Sequence, residues 1–74
     1  IDARERKGPA LTERETEVLS LIARGLANKA IANDLGISKK TVKAHLTRIF
    51  AELAVSDRTQ AALWAREHLG IGDA

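Results

Sequence analysis

The sequence predicts an all-α fold, a four-helix bundle that forms one small domain. Apolar residues recur at helical spacing in four segments of the chain. Residues that commonly cap a helix N-terminus stand at the start of these segments, and no segment has the pattern of a strand. With 74 residues, the chain has room for a single domain with a single hydrophobic core.

The two ends of the sequence are predicted to lie outside the helical domain. Residues 1–9 are charged, lack apolar periodicity and end in a Gly-Pro pair, which is typical of a linker or flexible arm. We expect the domain to span residues 10–70 and residues 71–74 to form a tail. Because the chain begins at Ile1 and contains no methionine, we expect it to be a piece of a longer protein.

The first helix is predicted to begin after Thr12. Thr12 is a favourable N-cap, and Glu15 follows three residues later, which is the capping-box pattern. Glu13 and Glu17 also suit the positive end of the helix dipole, and Gly25 is expected to end the helix. Its inward face is predicted to consist of Val18, Leu19, Leu21, Ile22 and Leu26.

Two further helices are predicted to form a helix-turn-helix over residues 28–47. Asn28 is expected to cap the second helix, which is short. Gly36 can adopt the left-handed backbone that the turn requires, and Ser38 is the expected N-cap of the third helix, over about residues 39–53. This pattern indicates DNA binding, although any small helical bundle can contain it by chance.

The third helix has an apolar face and a basic face when its residues are placed 100° apart. The buried face is predicted to contain Val42, Leu46, Ile49, Phe50 and Leu53. The opposite face and its flanks carry small residues and cations: Lys39, Lys40, Lys43, Ala44, Thr47, Arg48 and Ala51. Because this face is slim, it could enter the major groove of double-stranded DNA. The alternative is that these cations only keep an exposed helix soluble.

The fourth helix is predicted to run from a cap at Ser56 or Asp57 to about His68. Its inward face would consist of Ala61, Ala62, Ala65 and Leu69, with Trp64 at the edge. Leu63 points the other way and is flanked by Thr59, Arg66 and Glu67. A single exposed leucine is ordinary on a protein surface, but this group is also a candidate dimer contact.

The sequence lacks the residues that an enzyme or a metal site would need. Cysteine is absent, and the two histidines, His45 and His68, are predicted on different helices without paired carboxylates. We therefore expect no catalytic activity, no metal and no cofactor. No apolar run approaches the ~20 residues that span a bilayer, so we expect a cytoplasmic domain without a membrane contact.

Four blocks of the sequence, in order, resemble the LuxR/FixJ-type helix-turn-helix over about residues 9–69. They are Leu11-Thr12-x-Arg14-Glu15-x-Glu17-Val18-Leu19, Gly25-Leu26-x-Asn28-Lys29-x-Ile31-Ala32, Ile37-Ser38-x-x-Thr41-Val42-Lys43-x-His45 and Arg58-Thr59-Gln60-Ala61. The resemblance implies a DNA-binding output domain of a bacterial transcription regulator, with its third helix in the major groove. The protein would then bind DNA in a sequence-specific manner.

The resemblance also implies roles for individual residues. Base edges would be faced by Lys43, Ala44 and Thr47. Phosphates would be faced by Asn28, Lys29, Thr41, His45 and Arg48, to which the cations Lys39 and Lys40 are added. The helix at about residues 57–68 would form the dimer contact. Glu52 and Ala54 depart from the family, which commonly has lysine and glycine there, so the turn after the third helix could differ.

The partners implied are double-stranded DNA, a second copy of the chain on that DNA, an upstream receiver or ligand-binding domain, and RNA polymerase as a further candidate. Relatives of this kind often end the response regulator of a two-component system, and they act on the bacterial nucleoid. Two alternative hypotheses come from other classes. The bundle could dock a partner helix instead of DNA, or it could be a variant of the four-helix region of bacterial sigma factors.

Overall fold

A computed structural model describes residues 10–70 of the chain, and these residues form four α-helices. The helices are α1 (Glu13–Ala23), α2 (Asn28–Leu35), α3 (Lys39–Leu53) and α4 (Arg58–Leu69). The described range contains no strand, and the predicted all-α class is confirmed. The linker and the tail predicted at residues 1–9 and 71–74 lie outside the described residues. None of the four helices combines the length and apolar character that crossing a membrane requires.

The N-terminus of α1 carries the predicted capping box. The Thr12 side-chain oxygen accepts a hydrogen bond from the Glu15 backbone N–H at 3.0 Å, and Glu15 Oε1 accepts from the Thr12 N–H at 3.0 Å. This reciprocal pair satisfies two backbone donors that the first helical turn leaves free. It also fixes the Glu15 side chain in a buried position beneath the helix start.

The N-terminus of α2 differs from the prediction. Ala27, not Asn28, is the N-cap residue, and no side chain caps this helix. Asn28 is already in the first helical turn, and its side-chain oxygen accepts a hydrogen bond from Arg58 instead. A residue inside the helix does not have the extended backbone of an N-cap, so its side chain cannot cap the helix in the usual way. The side-chain amide of Asn28 is therefore available for a contact with another helix.

The turn between α2 and α3 has the predicted geometry. Gly36 ends α2 in the left-handed conformation, with φ 70° and ψ 34°, which a glycine adopts without steric cost. The Ile37 N–H then donates to the Ala32 carbonyl oxygen at 3.0 Å. Ser38 caps α3 by accepting from the Thr41 N–H at 3.0 Å. Together these contacts fix the angle at which α3 leaves the turn.

The turn after α3 has a left-handed backbone although no glycine stands there. Ala54 is the C-cap and has φ 56° and ψ 43°, and it is the one non-glycine residue with positive φ in residues 10–70. The side chain of an L-residue is strained in this region of backbone space. Ala54, which stands where the family commonly has glycine, therefore has the backbone conformation that glycine favours. Helix α4 follows after an Asp57 cap, whose carboxylate accepts from the Gln60 N–H at 2.9 Å.

The core lies where α1 packs against α3 and α4, and where α2 packs against α3. Its buried members are Val18, Leu19, Ile22, Ala23, Ile31, Ala32, Val42, Leu46, Ile49, Leu53, Ala61 and Ala65. The predicted inward residues Leu21, Leu26, Phe50 and Ala62 are half-buried at its edge.

Leu69 is a correction to the predicted core. It is 41% exposed, although the row of Ala61 and Ala65 was expected to continue to it. Rotation around the helix does not explain this exposure, because Leu69 lies about 80° from Ala61, between Ala65 and the half-buried Ala62. Leu69 is the last residue of α4, so the exposure belongs to the end of the helix.

Candidate nucleic-acid interface

The side of α3 that faces away from the core is exposed and basic. We call the exposed residues Lys39, Lys40, Lys43, Ala44 and Thr47 the α3 outer face. Between Ser38 and Glu52, α3 has no acidic residue. The core holds the opposite side of α3 through Val42, Leu46 and Ile49, so the charged side is left free for a ligand. A polyanion is the ligand that suits this charge.

The centre of the α3 outer face is built from short side chains. Ala44 presents only a methyl group. The Thr47 hydroxyl donates to the Lys43 carbonyl oxygen at 3.1 Å, so its oxygen lone pairs and its methyl group are left for other contacts. Lys43 lies beside Thr47 and adds a hydrogen-bond donor. This combination of donor, acceptor and apolar surface is what base edges in a major groove require.

The residues that are expected beside phosphates differ in exposure and in the hydrogen bonds they already make. Lys29, Lys39, Lys40 and Thr41 are exposed, whereas Asn28 and His45 are half-buried. The Thr41 hydroxyl lies 3.0 Å from the Ser38 hydroxyl, within the α3 cap. The Asn28 side-chain oxygen accepts from Arg58 Nη1 at 2.7 Å, so one end of this amide is already occupied.

Arg48, which is expected beside phosphates, is half-exposed and also makes contacts within the domain. Its Nε lies 3.0 Å from Glu15 Oε2, its Nη1 lies 3.5 Å from Glu52 Oε2, and its Nη2 donates to the Ala10 carbonyl oxygen at 3.4 Å. The buried Glu15 carboxylate needs a cationic partner, and Arg48 is the residue that meets it. The guanidinium therefore ties α3 to the start of α1.

The same cluster changes the acidity of Glu15. The hydrogen bond from the Thr12 N–H lowers the pKa of the Glu15 carboxyl below its ordinary value, and the charge of Arg48 lowers it further. Burial acts in the opposite direction but does not outweigh these effects. Glu15 is thus held as a carboxylate, which keeps both the capping box and the ion pair with α3 in place.

The two histidines lie on different helices and have different surroundings. The His68 ring stacks on Trp64 with centroids 4.4 Å apart, and its Nδ1 lies 3.0 Å from the Trp64 carbonyl oxygen. His45 lies on α3, near enough to Glu15 to contribute to its lowered pKa. Within residues 10–70, no group of three or more His, Cys, Asp or Glu residues is placed to hold a metal ion.

A second surface feature lies on α4. Leu63 is 51% exposed, and beside it an open groove of about 570 Å³ separates α4 from the end of α1 and the turn before α2. Its apolar lining includes Ile22, Leu26, Ala62 and Leu63. Thr59 and Arg66 from the predicted dimer contact also line it, and Glu67 is exposed on the same helix.

Arg58 has a structural role that the sequence does not indicate. It opens the last of the four family-like blocks, and its guanidinium donates hydrogen bonds to Asn28 Oδ1 and to the Leu26 carbonyl oxygen. Its partners are about 30 residues away in the chain. No local spacing rule connects residues so far apart, and only the fold, in which α4 packs against α1, brings the start of α4 close to the start of α2.

Comparisons with known proteins agree with this geometry. Residues 9–65 match the family described as bacterial regulatory proteins, luxR family. The chain is 57% identical over 61 residues to the transcriptional regulatory protein LiaR of Bacillus subtilis, and it is 52% identical over 58 residues to the response regulator protein VraR of Staphylococcus aureus. These matches cover 81% and 78% of this chain but only 29% and 28% of the relatives.

A solved structure supports the same fold. The Vibrio cholerae VqmA dimer, studied in the absence of its target DNA and discussed in terms of DNA binding by LuxR-type receptors, is similar with a TM-score of 0.80. The sequences are 30% identical, and the match covers 96% of this chain and 32% of the VqmA chain.

Proposed function

Because the chain belongs to the luxR family of bacterial regulatory proteins, we propose that it binds double-stranded DNA in a sequence-specific manner to regulate transcription. The observation that carries this proposal is the α3 outer face, which is exposed, basic and free of acidic residues. The helix-turn-helix holds α3 at a fixed angle to the bundle. Such a helix can lie in a major groove with its side chains on the base edges.

The proposed division of contacts follows the length and charge of the side chains. Lys43, Ala44 and Thr47 read base edges. Phosphates are contacted by Asn28, Lys29, Lys39, Lys40, Thr41 and His45. Phosphate contacts give affinity and register, whereas contacts with base edges give sequence preference. Arg48 is also proposed to contact a phosphate with the exposed part of its side chain, while its ion pair with Glu15 supports α3.

We also propose that two copies bind neighbouring half-sites, with contacts through α4. The exposed Leu63 and the open groove beside it support this proposal. Covering apolar surface of this kind with a partner removes it from water, which favours association. Thr59, Arg66 and Glu67 would complete the contact. Half-sites would then be spaced about one helical turn apart.

The rest of the regulator lies outside this chain. The chain spans less than a third of the length of LiaR and VraR. We infer that it is the output domain of a longer response regulator, in which an upstream receiver or ligand-binding domain controls dimer formation. The proposal includes contact of the DNA-bound dimer with RNA polymerase, in the cytoplasm at the bacterial nucleoid, and no enzymatic activity of this domain.

Selection of bound duplexes from a random pool tests the sequence specificity. The 74-residue chain is expected to enrich one short motif over several rounds, and a variant with Lys43→Ala should change or lose the enriched motif. Enrichment of no motif, with binding that is equal for all duplexes, would reduce the function to general DNA binding. Absence of any duplex binding would favour a protein partner in place of DNA.

A further inference from the structure

Arg58 and Asn28 form a polar contact that joins two separate parts of the domain. Arg58 is the first residue of α4, and Asn28 is the first residue of α2. The guanidinium donates from Nη1 to Asn28 Oδ1 at 2.7 Å and from Nη2 to the Leu26 carbonyl oxygen at 2.6 Å. Both hydrogen bonds are part-buried and come from one rigid planar fork. The two acceptors fix the Arg58 guanidinium, which in turn holds the Asn28 oxygen through one hydrogen bond.

This contact determines which end of the Asn28 amide points inward. A guanidinium carries only donors, so it can bond to the amide oxygen and not to the NH2 group. The NH2 group is therefore turned away from Arg58. Among the described residues, no fully buried side-chain nitrogen or oxygen lacks a hydrogen-bond partner. Asn28 Nδ2 has no hydrogen-bond partner among these residues, so it is not fully buried.

We propose that Arg58 is a positioning residue that holds the Asn28 amide so that its NH2 group donates to a DNA phosphate oxygen. The inference rests on the proposed function. Asn28 opens the helix-turn-helix beside the exposed cation Lys29, where a phosphate would be attracted. Because Arg58 belongs to α4, the helix proposed to form the dimer contact also sets one DNA contact of α2.

The substitution Asn28→Asp separates this role from a purely structural one. Aspartate keeps an oxygen for Arg58 and even adds charge to that hydrogen bond, but it has no NH2 group to donate. If Asn28 serves only to hold Arg58, the variant keeps both its fold and its DNA affinity. If the amide faces a phosphate, the fold is kept and the affinity is lost.

Asn33→Asp is the matched control for the added charge. Asn33 is exposed on the same helix and lies about 140° around it from Asn28. Both variants carry the same new charge, so a difference between them reports the local surroundings of residue 28. Thermal unfolding of both variants checks that they are folded at the temperature of the binding assay.

Fluorescence anisotropy of the 74-residue chain with a labelled random duplex at low salt gives the measurement. We expect Asn28→Asp to weaken binding about tenfold or more relative to Asn33→Asp, with an unfolding midpoint at or above that of the wild type. Equal binding by the two variants, while the wild type binds, would overturn the inference alone. Absence of binding by the wild type would overturn the proposed function first, and the inference with it.

A double-mutant cycle tests the part played by Arg58. In Arg58→Lys, a single ammonium group cannot hold both acceptors in the geometry of the fork. We expect this substitution to weaken DNA binding severalfold in the wild type but to have little further effect in an Asn28→Ala background. Losses that simply add would show that Arg58 does not act through Asn28.

Discussion

Lys43 is the residue on which sequence preference is expected to depend most. Its side chain is exposed on the α3 outer face, one helical turn before Thr47. Lys43→Ala should cost about 1–3 kcal/mol in binding free energy on the selected site and less on random DNA, because a base contact is lost. Equilibrium titrations of both duplexes give this difference.

The control for this prediction is another lysine of α3. Lys39 is exposed in the first turn and is proposed to contact a phosphate. Lys39→Ala should weaken both duplexes alike and reduce the slope of log K against log salt by about 1. If Lys43→Ala behaves in the same way as Lys39→Ala, then Lys43 contacts a phosphate and not a base.

Glu15 makes the stability of the domain sensitive to acid. Its pKa is lowered in the folded state, so its carboxylate stabilises the fold at pH values above its unfolded pKa of about 4.3. This contribution is lost as the pH falls through the lower folded pKa. Glu15→Gln should therefore reduce the free energy of unfolding at pH 7 and make its decline in acid shallower.

Urea unfolding at a series of pH values from about 7 to about 3 measures this effect. The control is Glu13→Gln, because Glu13 is an exposed carboxylate in the same helical turn. It should leave the acid dependence close to that of the wild type. An unchanged acid dependence in Glu15→Gln would contradict the assigned role of the Thr12 and Arg48 contacts.

At the scale of the helices, the end of α3 is a site where stability can be gained. Ala54 holds a left-handed backbone with φ 56°. Ala54→Gly should stabilise the domain by about 0.5–1 kcal/mol, because relief of the steric strain exceeds the added entropy of the unfolded chain. Ala51→Gly, within α3 and equally exposed, should instead destabilise by about 1 kcal/mol. Thermal unfolding compares the two, and a loss of stability in Ala54→Gly would contradict the backbone geometry.

Helix boundaries could be predicted where the determinants are local. Thr12 with Glu15, Gly36 and Ser38 act within a few residues, and each has the predicted role. The cap of α2 could not be predicted, because Asn28 is used by Arg58 from a different helix. The exposure of Leu69 does not follow from periodicity either, because Leu69 has an inward helical angle but is the last residue of α4.

For the candidate site, too, the features within one helix could be predicted and the contacts between helices could not. The exposed cations and short side chains of α3 follow from helical periodicity alone. The distant partners of Arg48 could not be predicted, because Glu15 and Ala10 lie more than 30 residues earlier in the chain. Contacts of this kind depend on how α1 packs against α3, which periodicity within one helix does not specify.

At the scale of the whole molecule, the α4 surface is expected to link two copies on DNA. Leu63→Asp should weaken binding to a duplex with two half-sites and leave binding to one half-site unchanged, because the substituted side chain lies outside the core. Leu69→Asp is the control, since Leu69 is the other exposed leucine of α4 but lies outside the proposed contact. Titrations with the one-site and the two-site duplex measure both affinities. If Leu63→Asp weakens binding to both duplexes equally, a dimer contact through this helix is excluded.

The proposed function depends above all on binding of the α3 outer face to the phosphates and bases of DNA. The most direct test is anisotropy of a labelled random duplex titrated with the chain between about 50 and about 200 mM salt, where about four phosphate contacts give a slope of log K against log salt near −4. We expect affinity to fall roughly a hundredfold over this range. Absence of binding at the lowest salt, or binding that salt does not change, would contradict the account.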